Sequence, residues 1–408
     1  MGEGTYVSKK TGSGKTHTIH LPFDVPMLLT VVVLLVIGLL MVYSASWDFS
    51  LLMGRESTYI FGRQVLWVGL GIGVAIIASF IDYHFYEKLI VPIGLGTLVL
   101  LFAVIIVNTG TGGGSTRMLF GSSIQPSEMA KAVIIIYLSF WLSNRKDSIN
   151  DFQIALVPLI LILGITFSLI MMQPDLSAAL TVLLLGGILF FLAGGDWKII
   201  IMVLVLALLV GIPLIYIYPT GRARINSYLT SFDNPLESSY HIQRTLEAVV
   251  KGGWFGVGIG QADTKFTGLP LAPTDSIFAV IAEETGIIGG FLMVLLYTIM
   301  IWRGFVIAKN ASDQLGSLIA FGLTIWIGLE ALMNMAVIVG LLPFTGNALP
   351  LISAGGSSML VTLTSIGIIM NVSRMSMKQK ASERSPHGAV VDLRRRDGRG
   401  SVSRRDRS

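Results

Sequence analysis

The sequence predicts an all-α polytopic membrane protein of about ten transmembrane helices, with one large loop between spans seven and eight. Composition predicts the class. Of 408 residues, 53% are apolar and only 13% charged, against about 25% charged in a soluble domain. Patterning predicts the architecture. The apolar residues gather in blocks of about 18–25, the length a helix needs to cross about 30 Å of hydrocarbon.

The blocks fall in order at about 27–45, 65–82, 89–107, 129–143, 154–172, 176–194, 198–218, 277–302, 316–340 and 350–372. The first closes on Val42-Tyr43-Ser44-Ala45-Ser46. The fourth is short and opens on a polar cluster. Only the turn Gln173-Pro174-Asp175 separates the fifth from the sixth. The seventh leads into a polar loop of about 219–276, and the eighth follows Asp275 directly. Residues 1–26 form an N-terminal segment, and 374–408 a basic tail. That tail is rich in Ser, Arg and Lys and reads as disordered. Attraction to anionic lipid head groups explains its charge, and a cytoplasmic partner site is the alternative reading.

Orientation follows from lysine and arginine. With ten spans, one side collects Lys9, Lys10, Lys15, Lys88, Arg145, Lys146, Lys198, Arg303, Lys309 and the tail. Short loops on the other side carry Arg55, Arg63 and Arg117. The positive-inside rule puts both termini in the cytoplasm and the 219–276 loop outside, since long loops escape the rule. There are no cysteines, so disulfides and cysteine metal sites are excluded. The first apolar block is too long for a signal-peptide core and reads as a span.

Several motifs mislead. Gly12-Ser13-Gly14-Lys15-Thr16 resembles the end of a phosphate-binding loop, but Lys9 stands where the first glycine belongs, and no strand precedes it. Gly256-Val257-Gly258-Ile259-Gly260 has the wrong spacing for a dinucleotide fingerprint. The five histidines are scattered, which argues against a histidine metal site. Gly69-Leu70-Gly71-Ile72-Gly73 suits close helix packing. The net charge of +5 comes largely from the tail, and no nucleic-acid partner is expected.

The informative polar residues cling to span ends. Arg117, Gln125, Ser127, Glu128 and Lys131 open the fourth span, and Gln173 and Asp175 separate the fifth and sixth. Arg222, Arg224, Tyr240, Gln243 and Lys265 lie in the long loop, which Asp275 closes. Glu283 and Glu284 follow about two turns later, and Ser353, Ser357 and Ser358 open the tenth span. By the expected topology all of these face outward. Glu128 and Lys131 are spaced i, i+3 and can pair. Asp175 suits a helix N-cap. Asp275 is costly at a membrane boundary unless water, a partner or a function holds it, and capping alone would not demand its charge. Clustered basic loop residues match a phosphate or pyrophosphate head group.

Seven ordered motifs carry a resemblance: Val42–Ser46, Ile124–Lys131, Gln173–Leu176, Gly252–Gly258, Thr274–Gly286, Gly340–Gly346 and Leu349–Ser358. Over about 25–372 the chain resembles the shape, elongation, division and sporulation (SEDS) family of bacterial membrane proteins, the FtsW/RodA type. The resemblance implies a peptidoglycan glycosyltransferase of the cytoplasmic membrane. It would polymerise lipid II on the outer face, beside a class B penicillin-binding protein transpeptidase and other divisome or elongasome membrane proteins. The family's essential aspartate falls on Asp275, and its Glu–Lys pair on Glu128 and Lys131. Ser44-Ala45-Ser46 and the basic tail lean toward the division type.

The chain departs from the family at Arg117-Met118, Ser177-Ala178, Ala354 and Pro273, which touches substrate contacts more than chemistry. The expected mechanism makes Asp275 the base for an acceptor sugar hydroxyl. Arg222, Arg224 or Lys265 would neutralise the departing pyrophosphate. Gln125, Glu128, Lys131, Asp175, Gln243, Glu284, Ser357, Ser358 and Arg117 would line the substrate site. Hard cations favour carboxylate and phosphate oxygens; a divalent ion, Mg or Mn, is compatible with the site, and no motif demands one. The competing readings are a lipid II flippase and a non-catalytic scaffold for the transpeptidase. A flippase needs polar residues through the full depth, whereas here they gather at one side.

Overall fold

A computed structural model describes residues 23–110, 125–173, 175–199, a discontinuous set within 201–218, 219–233 and 238–384. Among the described residues there is helix and turn but no strand. The helices are α1 (Val25–Leu52), α2 (Tyr59–Phe80), α3 (Tyr86–Gly110), α4 (Pro126–Ser143), α5 (Val157–Met171), α6 (Leu176–Leu192), α7 (Pro219–Asp233), α8 (Tyr240–Gly252), α9 (Ile277–Lys309), α10 (Gln314–Ile338) and α11 (Gly356–Arg384). The expected 198–218 span lies largely outside the described residues. So do residues 1–22, the tail beyond 384, and Arg117.

Six helices, α1, α2, α3, α9, α10 and α11, are long and apolar enough to cross a membrane, and α5 and α6 are shorter apolar helices. This is a polytopic helical membrane protein. Its burial pattern fits lipid as solvent. α10 and α11 are largely buried, whereas α2 and α3 turn Leu66, Leu70, Leu95 and Val99 outward. Without a hydrophobic drive between helices in lipid, association rests on close packing. Gly71 of α2 accordingly admits Leu363 of α11, whereas Gly69 and Gly73 meet nothing. On α1, a side chain at Gly38 would press into the Leu351 backbone.

Two ends of the bundle are distinct. At the proximal end, Arg303 grips Asp24, with Nε 3.1 Å from Oδ1. His84 lies 2.8 Å from Asp313, and Asn371 donates to Ser79 O at 2.8 Å. Ser376 and Lys380 both bond Asn310. These last contacts explain why α11 runs on to Arg384, past the boundary expected at 373. Its basic residues are good helix formers and find partners along α9 and α2.

At the distal end the chain departs further from the sequence reading. The segment expected as polar loop holds α7 and α8. α8 is amphipathic, burying Ile242, Thr245, Ala248 and Gly252. The last span starts later than expected, because residues 349–355 form a turn that precedes α11. α9 has 33 residues, about 50 Å at 1.5 Å per residue, and it breaks at Gly286 (φ 71°, ψ −171°). The Gly252–Gly258 strap docks into that break. Val257 N donates to Glu283 O at 3.0 Å, and Ile287 N donates to Gly253 O at 2.9 Å. A Cβ on Gly256 would collide with Glu284 O, and one on Gly286 with Gly256 N. Two sequence motifs are therefore halves of one joint.

Candidate active site

Asp275 sits at the end of a tight turn rather than at the helix cap; Ser276 is the N-cap of α9. The turn is pinned from four sides. Ser353 Oγ donates to Thr274 O at 2.6 Å, and Ala354 N donates to Pro273 O at 2.8 Å. Asn334 of α10 donates to Asp275 O at 2.8 Å and to Asn347 O at 2.6 Å. Ser276 Oγ donates to Pro270 O at 2.7 Å and lies 2.9 Å from His241 Nε2. That hydroxyl has one hydrogen, so Nε2 is the donor to it. Leu271 and Leu351 take left-handed φ of 52° and 67°. Such backbone is uncommon for leucine and persists only when its surroundings over-determine it.

Burial pushes the His241 imidazole down to about 4, and the positive charge of Arg224 adds to the effect. The ring is therefore neutral near pH 7. Its centroid lies 3.9 Å from that of Phe344, with the planes tilted at 43°, and Arg224 sits 5.6 Å from the same Phe344 ring. Arg224 Nη1 reaches Thr345 O at 3.5 Å. α7 and α8 thus carry the Phe344–Asn347 loop beside Asp275.

In front of the turn lies a cavity of about 460 Å³. Six expected site residues line it: Asp275, Gln125, Glu128, Asp175, Ser357 and Ser358. Asp175 is buried and caps α6, with Oδ1 accepting from Ala178 N at 3.3 Å. Its Oδ2 accepts from Ser127 Oγ at 3.3 Å and Gln125 Nε2 at 3.4 Å. Gln125 N in turn donates to Ser357 Oγ at 2.9 Å. Four starting points, those of α4, α6, α9 and α11, are thereby drawn to one wall. The ends of α1 and α2 complete the lining with Phe49, Met53, Tyr59, Arg63, Gln64 and Trp67. Gln64 holds the Ser353–Gly355 turn through both amide atoms, at 3.1 Å and 3.2 Å.

Lys131 lies behind this lining. Its ammonium donates to Glu128 Oε1 at 2.8 Å and, in a short contact, to Glu330 Oε1. Trp326 Nε1 donates to the same Glu330 oxygen at 2.7 Å. Arg222 is exposed on α7, and Gln243 donates to Ser238 O at 2.9 Å. Lys265 and Glu284 do not line the cavity. They form a buried ion pair at 2.8 Å that also binds Ser44 Oγ, 2.7 Å from Lys265 Nζ. Lys265 is thus a clamp between α1, the strap and α9. Among the described residues no group of three or more Asp, Glu or His is arranged to hold a metal ion.

Sequence reasoning passed over Arg63, Gln64, Glu330, Asn334 and Asn347. The first four stand in or beside apolar spans, where an ionisable or amide side chain is itself a signal. Asn347 carried no comparable signal.

An apolar helical bundle that gathers carboxylates, amides and an arginine around a cavity at one end is a membrane protein with an intramembrane polar site. The chain belongs to the FtsW/RodA/SpoVE family: the family model, described as cell cycle protein, matches residues 25–378. It is 36% identical over 355 residues to a probable peptidoglycan glycosyltransferase FtsW of Geobacter sp. (strain M18), covering 86% of this chain and 96% of the relative. It is 36% identical over 359 residues to stage V sporulation protein E of Bacillus subtilis (strain 168), covering 86% and 97%. It superposes with TM-score 0.70 and 26% identity, over 87% of this chain and 98% of the other, on a chain solved in work on the structural coordination of polymerization and crosslinking by a peptidoglycan synthase complex.

Proposed function

We propose that this chain is a peptidoglycan glycosyltransferase that polymerises lipid II in cell division, with Asp275 as general base. The observation that carries the reading is the 460 Å³ cavity lined by Asp275 together with Glu128, Asp175, Gln125 and Arg63. The names of the relatives support the activity. The reading takes the ten-span topology expected from the hydropathy and charge pattern, with the cavity at the outer face of the bacterial cytoplasmic membrane and both termini inside. Phe23–Phe80 and Ser376–Asn310 contacts put both described ends of the chain at the proximal end, consistent with that topology. A class B penicillin-binding protein is the partner the reading calls for, by likeness to a chain of a synthase complex.

In this mechanism the 4-hydroxyl oxygen of the acceptor GlcNAc attacks C1 of the donor chain's terminal MurNAc. The C1–O bond breaks, and its electron pair leaves on undecaprenyl pyrophosphate. Asp275 takes the hydroxyl proton, an effect worth roughly 10²–10⁴-fold. Arg63 in the lining and Arg224 beside the Thr345–Asn347 loop are placed to offset charge on the leaving group. Lys265, locked in its buried pair, is not. The exposed Met53, Tyr59 and Leu271 at the cavity wall give prenyl tails an apolar approach.

The test is polymerisation of purified lipid II by the chain with its transpeptidase, wild type beside D275N. Glycan strands from wild type and none from folded D275N are expected. Equal strands from both would remove Asp275 from the chemistry.

A further inference from the structure

We infer that Glu330 is a positioning residue that keeps one oxygen of Glu128, at the cavity wall, uncommitted within the protein, so that it accepts a hydrogen bond from the amino-sugar head group when substrate enters. This inference rests on the glycosyltransferase reading. Lys131 is only 2% exposed and lies between two carboxylates. It donates to Glu128 Oε1 at 2.8 Å and to Glu330 Oε1. Trp326, fully buried, anchors that Glu330 oxygen at 2.7 Å. Of these four side chains, Glu128 alone lines the cavity. Its Oε2 is sheltered and has no hydrogen-bond partner within the protein.

The arrangement is a competition for one ammonium. A lysine has three N–H donors. With Glu330 fixed by Trp326, Lys131 divides its donors, and Glu128 commits a single oxygen. A buried carboxylate oxygen left without a donor is costly, so Oε2 is suited to a ligand that brings one. A sugar hydroxyl or N-acetyl N–H meets that need. Remove Glu330, and the ammonium is free to draw both Glu128 oxygens toward itself, away from the cavity. Lys131, in this account, never touches substrate.

The experiment measures KM and kcat for lipid II polymerisation, with thermal unfolding alongside. The variants are E330A, E330Q, E128A and E128A/E330A, each assembled with the transpeptidase. One lost hydrogen bond to a charged group corresponds to a rise in KM of about 10–10²-fold for E330A. E330Q keeps an oxygen for Lys131 and Trp326 and is expected within about twofold of wild type, since the bonding is preserved. E128A/E330A is expected to be no worse than E128A, because Glu330 acts through Glu128. Multiplying effects in the double variant would overturn the proposal. So would a fall in unfolding temperature for E330A with KM unchanged. If E330A does not fold, W326F tests the same coupling: its KM must rise, and the rise must vanish in the E128A background. A wild type that binds its partner but makes no glycan would overturn the glycosyltransferase reading and this inference together. A wild type that polymerises while the cycle is additive would overturn only the inference.

Discussion

Asn334 is the residue on which the Asp275 reading can be tested without touching a titratable group. Its amide, 3% exposed, holds two carbonyls at once, Asp275 O at 2.8 Å and Asn347 O at 2.6 Å. N334L keeps a side chain of comparable bulk and deletes both donors. Each of the two part-buried carbonyls left without its donor costs about 1–3 kcal/mol, so a loss on the order of 2–6 kcal/mol is expected. The turn will not unravel, because Ser353 Oγ still holds Thr274 O and Ala354 N still holds Pro273 O. The loss therefore appears chiefly as play at Asp275. A displacement of about 1 Å at a reacting group costs about 10²-fold. N334D is the harsher companion, since it turns a carboxylate oxygen toward both carbonyls. The assay is steady-state lipid II polymerisation, with thermal unfolding as control. N334L is expected to lower kcat by about 10–10²-fold and leave partner binding intact. Wild-type kcat in a folded N334L would show that Ser353 and Ala354 suffice, and would refute the claim that α10 aims the carboxylate.

Two other outcomes follow from the buried polar groups around this frame. K265M strands Glu284 in a site 0% exposed at its side chain, and breaking such a pair costs about 3–5 kcal/mol. Thermal unfolding should register that loss and K265M/E284Q should recover part of it, with KM for lipid II unmoved; a raised KM at unchanged stability would return Lys265 to the substrate. His241, held down to about 4, contributes stability that is complete above its ordinary value near 6.5. That contribution is lost as pH falls from there through about 4, because the unfolded chain takes up the proton first. A ring titration by NMR with a midpoint at 6 or above would contradict the buried, Arg224-facing placement.

The helices were legible because lipid demands long apolar runs, and each expected span other than the seventh falls on a helix. The convergence of Asp275, Glu128, Asp175, Gln125, Ser357 and Ser358 was legible too, because polar residues at span ends have few reasons to share a face. What stayed hidden was pairing over long sequence distances. Lys265 reads as a free loop cation, because nothing in its own segment announces Glu284 and Ser44. Gly286 closes a sequence motif without a structural reason legible in its own segment, because only the docked strap shows why a left-handed φ is needed there. α8 lay within a segment read as loop, although Ile242, Thr245, Ala248 and Gly252 already carry a helical spacing. Glu330 and Asn334 were readable by the cost of polar groups in spans, and their partners were not.

The depth of the polar site bears on the choice between polymerising and moving a lipid-linked substrate. The lining residues come from the distal part of each helix or from a distal turn: Phe49 and Met53 after most of α1, Tyr59–Trp67 in the first half of α2, Glu128 opening α4, Asp175 capping α6, and Ser357 and Ser358 opening α11. Farther along the same helices, Trp326 and Leu323 of α10 and Leu138 and Ile135 of α4 are fully buried, and a second cavity, between α3, α4 and α5, is lined by apolar residues such as Leu98, Leu101 and Ile134. Proximal charged groups pair with one another, as in Asp24 with Arg303 and His84 with Asp313. A carrier needs polar footholds that a head group can meet in succession across the bilayer. A polymerase needs only a fixed set at one depth, held tightly enough that a carboxylate meets a hydroxyl in line with a leaving group. The pinning of Asp275 by Asn334, Ser353 and Ala354 serves the second requirement and would hinder the first. D275N is therefore expected to block glycan synthesis while leaving lipid II distribution between leaflets unchanged in reconstituted vesicles. Loss of leaflet exchange in the same variant would turn the argument back toward transport.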